Sequence, residues 1–160
     1  MIPSVTKTGI DRTDWLKTFA IVFVLIDHFG YFFVDDAQWW NAAGRLAAPV
    51  FFFLLGYANS RHLPVSWIVL GLMLTGLEYW NADGEWVTLN ILLSLTLMRV
   101  LRPHISTFLL NYRWPGLMVL LAVLFALLPS TTQIVDYGSE GWLWTVFGVC
   151  QRLYVDLMTK

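Results

Sequence analysis

A chain of 160 residues that is 58% hydrophobic and only 13% charged, with a mean hydropathy of +0.62, lies well outside the range of soluble domains. A formal net charge of −1 excludes a nucleic-acid binder, which needs a surplus of Lys and Arg on one surface. Cys150 is the single cysteine, so no internal disulfide or thiolate metal site can form within the chain, and no histidine pair has metal-ligand spacing.

The polar segment Met1 to Thr13 leads into a long apolar run with no small-residue cleavage site, so the first helix is expected to stay as a signal anchor. Crossing a hydrocarbon core about 30 Å thick takes roughly 20 apolar residues in a helix. The hydropathy pattern predicts about six spans, at 14–34, 44–60, 64–80, 87–101, 114–128 and 141–157. The fold class that follows is all-α, a polytopic transmembrane helical bundle in one domain covering 1–160. Short connections rich in Asp, Asn, Gly and Pro separate the spans. Pro64 and Pro115 are expected at helix starts, where a missing N–H does no harm, and Pro49 is expected to kink the second span. The fourth span is short and holds Arg99, so it is expected to tilt little or to lie partly at the interface.

Charges in successive connections alternate in sign. Lys7, Arg12 and Lys17, then Arg61, then Arg99, Arg102 and Arg113, then Arg152 and Lys160 mark one side. Asp35 and Asp36, then Asp83 and Glu85, then Asp136 and Glu140 mark the other. Translocation of Lys and Arg is disfavoured, so the basic side reads as cytoplasmic and both termini lie there. Tryptophans Trp39, Trp40, Trp80, Trp86 and Trp142 fall near the acidic boundary and Trp15, Trp67 and Trp114 near the basic one, as amphipathic rings at headgroup depth should.

Ionisable groups inside a span cost a few kcal/mol or more and are candidate sites. Asp27 and His28 lie past the middle of the first span, Arg45 begins the second, Glu78 ends the third and Asn90 lies just inside the fourth. All five map to the outer half of the membrane, which reads as a polar pocket open to that side. There a histidine acts as general base on an attacking amine or hydroxyl, a carboxylate orients the imidazole, and Arg45 stabilises oxyanion charge. The structural alternative pairs Asp27 with Arg45 and bonds His28 to a backbone carbonyl, holding helices in register. Gly44, Ala47, Ala48 and Gly56 read as small-residue helix packing, and Phe51-Phe52-Phe53 as a packing or lipid-facing surface. Arg99, Arg102, His104 and Arg113 form a basic rim, read as topology and headgroup contacts in preference to a site for an anionic donor such as coenzyme A.

The run Ile26-Asp27-His28-Phe29-Gly30 followed by Gly44-Arg45-Leu46, Pro49 and the Phe-rich helix resembles the TraX family of membrane proteins. The stretch Leu89-Asn90-Ile91 through Thr96-Leu97, and later Tyr137-Gly138, are similar to further segments of that family, although Ala47-Ala48 stands where an aromatic is usual. The resemblance also implies further helix beyond the sixth span, so a chain ending there is expected to lack part of a donor site.

The resemblance implies a bacterial inner-membrane acyltransferase, of the kind associated with N-terminal acetylation of conjugative pilin. His28, Asp27 and Arg45 would be its catalytic residues and Asn90 a substrate-positioning group, to which the polar outer half adds Glu78, with acetyl-CoA the donor and no bound cofactor or metal. The lipid bilayer is the expected surrounding. A non-catalytic accessory transmembrane subunit of a larger membrane complex is the alternative, and a small transporter, disfavoured by the lack of an internal repeat, a third.

The charge pattern makes a direct prediction. On a Cys150→Ser background, cysteines placed at Gln38 and Trp86 react with an impermeant maleimide from outside, and those at His62 and Asn111 react only after permeabilisation. Labelling of all four from one side would contradict the alternation.

Overall fold

The computed structural model describes residues 11–34, 38–58, 62–82 and 86–159. Charges read at Lys7, Asp35, Asp36, Arg61, Asp83, Glu85 and Lys160 lie outside those residues. The described residues are all-helical: α1 (Arg12–Phe33), α2 (Gln38–Gly44), α3 (Ala47–Tyr57), α4 (Val65–Asn81), α5 (Ile91–Thr131) and α6 (Gly138–Met158). Among them, one element, α5, is long and apolar enough to cross a membrane.

Local sequence sets the boundaries. Asp11 caps α1, its N–H donating to the Asp14 carboxylate at 3.1 Å in a capping box, and Lys17 pairs with Asp14 at 2.8 Å. Pro64 occupies the N-cap of α4, and Asn90 caps α5 by accepting the Leu92 N–H at 3.0 Å. The second predicted span, 44–60, is covered by α3, while α2 lies before it: α2 ends at Gly44, Arg45 and Leu46 form a turn, and α3 begins at Ala47. Pro49 therefore falls in the first turn of α3, where its missing N–H has no partner to lose, and the expected kink does not arise there.

The chain forms two compact units, Met1–Val50 and Phe51–Lys160. In the first, α1 packs on α2 through two glycines. A methyl group at Gly30 would meet Trp40 Cγ at 2.7 Å, and one at Gly44 would overlap the Asp27 side chain. The Phe29 and Trp40 rings lie 5.5 Å apart at the same crossing.

In the second unit, α5 is a hairpin. As a straight rod its 41 residues would extend about 60 Å. Instead the segments flanking its two ends pair with each other. Leu89 N–H donates to Ile134 O at 2.8 Å, and Asp136 N–H donates to Leu89 O at 3.0 Å. The reversal is at Arg113, the one non-helical residue inside α5 (φ 49, ψ −128). Pro115 follows directly, at the start of the returning arm. The arms, 91–112 and 114–131, correspond to the fourth and fifth predicted spans. The first runs further than 87–101 because Pro103 is accommodated within the helix.

A second tight turn at Tyr137 (φ 62) and Gly138 (φ 35) sends α6 back beside the first arm. A side chain at Gly138 would meet Thr131 Oγ1 at 2.7 Å, so glycine is required there by both space and conformation. Trp142 Nε1 then donates to Ser94 Oγ at 3.0 Å, fixing α6 against α5.

On its other side α6 meets α3 almost backbone to backbone. A methyl at Gly148 would strike the Phe53 carbonyl and lie 2.9 Å from Tyr57 N, while one at Gly56 would strike the Thr145 carbonyl. Phe52, fully buried, fills the space above Gly141. Gly71 of α4 seats Leu93 of α5. Gly76, on the same helix, has open space around it.

Gly148 and Gly76, of unlike surroundings, give a paired test. Gly148→Ala is expected to cost about 1–3 kcal/mol, because backbone atoms must move. Gly76→Ala is expected to be neutral or to stabilise by up to about 1 kcal/mol through helix propensity. Thermal unfolding in one detergent measures both, and equal shifts would contradict the packing described.

Candidate functional site

Of the five residues singled out in the sequence, three stand on the elements of one helix crossing. Asp27 and His28 stand on α1, and Arg45 follows α2 immediately after Gly44, whose missing side chain leaves room for the Asp27 carboxylate. The Asp-His and Gly-Arg pairs, far apart in the chain, are thus brought to one helix crossing. The sequence read Gly44 as a small packing residue and as part of the Gly44-Arg45-Leu46 run; in the structure it lets Asp27 lie against the residue before Arg45.

His28 Nδ1 lies 2.8 Å from the Val24 carbonyl one turn earlier. A carbonyl only accepts, so Nδ1 carries the hydrogen, and in the neutral ring Nε2 keeps its lone pair. The side chain is exposed, as is that of Arg45, while Asp27 is half-buried. Among the described residues no ion pair joins Asp27 to Arg45, and His28 bonds a carbonyl of its own helix, not that of a neighbour. The imidazole is oriented by the backbone, a task the sequence reading gave to Asp27.

Glu78 and Asn90 belong to the second unit. Asn90 N–H donates to Thr75 Oγ1 at 3.0 Å, and Asn90 Oδ1 is engaged as the α5 cap. Glu78 is exposed one turn beyond Thr75 on α4. Around them lies a hydrogen-bonded end that the sequence did not reveal. Thr88 Oγ1 donates to Asp136 at 2.6 Å, Trp86 Nε1 to the Gln133 carbonyl at 2.7 Å, and Ser139 N–H to Thr131 Oγ1 at 2.9 Å. Thr88 and Asn90 just before an apolar run were the available signal, being residues that bond to backbone where a helix begins.

The opposite end of this unit is basic. Arg99 Nε donates to the His62 carbonyl at 2.8 Å and its guanidinium lies 5.6 Å from the Trp67 ring centroid. Buried Arg102 donates to the Gly56 carbonyl at 3.2 Å, near the C-terminus of α3 where a cation is favoured. Arg152 pairs with Asp156 at 3.0 Å and lies over Tyr57. These arginines hold α3, α4 and α6 at that end. Among the described residues, no group of three or more His, Cys, Asp or Glu side chains could hold a metal.

The model of the family described as TraX protein matches residues 12–155. The chain belongs to the TraX family. It is 27% identical over 139 residues to an uncharacterized protein of Rickettsia prowazekii (strain Madrid E), covering 87% of the chain and 54% of that protein. It is 27% identical over 149 residues to Protein TraX of Escherichia coli, covering 89% of the chain and 56% of that protein. The chain therefore spans about half the length of these curated relatives. No solved structure matches it. Family membership and the apolar α5 together point to a membrane protein.

The crossing makes two substitutions diverge. Gly44→Ala is expected to destabilise by about 1–3 kcal/mol, since its methyl overlaps Asp27. Arg45→Gln is expected to stay within about 0.5 kcal/mol, as an exposed residue with no ion pair to Asp27. Melting temperatures decide, and a large loss for Arg45→Gln would restore the structural ion pair.

Proposed function

We propose that this TraX-family chain is a multi-pass acyltransferase of the bacterial inner membrane, with about six spans and both termini cytoplasmic. It would move an acetyl group from acetyl-CoA to an amine or hydroxyl near the outer face. The observation that carries the reading is the approach of the Asp27 side chain to Gly44, the residue before Arg45, with the adjacent His28 bonded through Nδ1 to the Val24 carbonyl and its Nε2 outside that bond.

The chemistry assigned to each follows from that geometry. As the acceptor attacks the thioester carbonyl, His28 Nε2 takes the acceptor's proton and returns it to the sulfur when the C–S bond breaks. Arg45 offsets the negative charge that develops on the carbonyl oxygen, and the Asp27 carboxylate favours the imidazolium formed in passing. Glu78 and Asn90 stand in the other unit, and no step is assigned to them.

The membrane part of the proposal is supported by where apolar side chains point. On α4 only Gly71 is buried, while Val69, Leu72, Met73, Leu77 and Trp80 are exposed around the helix. On α1, Phe19, Ile21, Leu25 and Phe29 are exposed likewise. Such surfaces suit lipid, where an apolar helix costs nothing to expose. The alternating charge of the connections supports the orientation. The same surfaces also suit a second reading, an accessory transmembrane subunit seated in a larger complex.

The test is transfer of radiolabelled acetyl from acetyl-CoA in native membranes carrying the tagged protein. His28→Ala is expected to lower the rate at least about 100-fold while insertion and melting temperature are unchanged. Undiminished labelling in the variant would refute the catalytic role. Stoichiometric purification with a fixed larger assembly, together with no labelling, would favour the accessory subunit.

A further inference from the structure

Between the tip of the α5 hairpin and the second half of α6 lies a cavity of about 660 Å³, within the size range of small-molecule sites. Its wall is apolar, including Leu109, Leu117, Phe147 and Leu153, and its one charged lining residue is Arg113. The other arginines at this end of the unit are engaged within the protein: Arg99 with the His62 carbonyl, Arg102 with the Gly56 carbonyl and Arg152 with Asp156. Among the described residues no hydrogen bond or ion pair engages the exposed Arg113 guanidinium. Its backbone reverses the helix at positive φ, a conformation that a glycine would take more readily. An arginine is nevertheless what the hairpin carries there, facing the cavity.

We propose that this cavity holds an anionic phospholipid, with its phosphate on the Arg113 guanidinium and an acyl chain along the apolar wall. A soluble anion would satisfy the arginine and leave the wall unfilled. A neutral lipid would fill the wall and leave the charge unpaired. An amphiphile with a negative head matches both, and a guanidinium is suited to phosphate by its forked donors. Trp114, 72% exposed, lines the same cavity and is of the type that sits at headgroup depth. The inference needs a membrane around the chain but not acyl transfer.

Native mass spectrometry of the full chain in mild detergent, titrated with phosphatidylglycerol, phosphatidylcholine or palmitoyl coenzyme A, tests it. Phosphatidylglycerol is expected to bind about tenfold more tightly than phosphatidylcholine, with Arg113→Gln abolishing the preference. In parallel, phosphatidylglycerol bearing a photoreactive acyl chain is expected to label the unaltered protein within 109–117 and 147–157, which needs no folded variant. Equal binding of the two lipids, an unchanged preference in the variant, or labels spread over α4 would overturn the proposal. Tighter binding of palmitoyl coenzyme A would also overturn it, making the occupant a soluble acyl thioester.

Discussion

Helices that are apolar on most faces gain little from hiding those faces from lipid, so what holds them together is the closeness of their backbones. In this chain closeness is achieved by glycine. Gly56 and Gly148 let α3 and α6 touch through their main chains, Gly71 seats a leucine of α5, and Gly44 lets the turn after α2 rest on Asp27. Polar side chains also bridge helices, as in Trp142 to Ser94 or Arg102 to the Gly56 carbonyl. The first kind of contact sets distance and the second sets register.

The same constraint bears on the residues at the α1–α2 crossing. A carboxylate in mid-helix is costly unless something offsets its charge or lets it reach a polar environment. Gly44 supplies a gap on the facing element and Arg45 follows in the next position, with no ion pair between Asp27 and Arg45 among the described residues. That arrangement leaves both charges available. His28, tied to the Val24 carbonyl, points its remaining nitrogen away from its own helix. A fully paired cluster would be a strut; one with an open base and an open cation has the parts for chemistry.

Much of the fold was legible in the sequence because it rests on period and charge. The helical segments, the turn residues before α4 and after the first arm of α5, and the candidate residues of the crossing were all read from local pattern. Within the second unit Asp136 lies at one end and Arg99, Arg102 and Arg152 at the other. Less legible was anything that depends on a single backbone geometry. The short helix α2 lies before the predicted second span, and Arg45 and Leu46 form a turn inside its start, because a two-residue turn leaves no mark beside a long apolar run. Pro49 was misplaced as a kink for the same reason. Pro103 stayed inside a helix despite being a breaker, and Asn90, read as a polar group in a span, proved to be its cap. The partnership of Gly44 with Asp27 joins residues from two elements and has no local signature.

The central claim is that Asp27 and Arg45 act on one reaction and do not merely hold two helices together. A double-mutant cycle with Asp27→Asn and Arg45→Gln, read both in acyl-transfer rate and in unfolding free energy, tests it most directly. Coupling between the two substitutions is predicted in the rate, with almost none in stability. Coupling that appears in stability and is absent from the rate would show the pair to be structural and contradict the account.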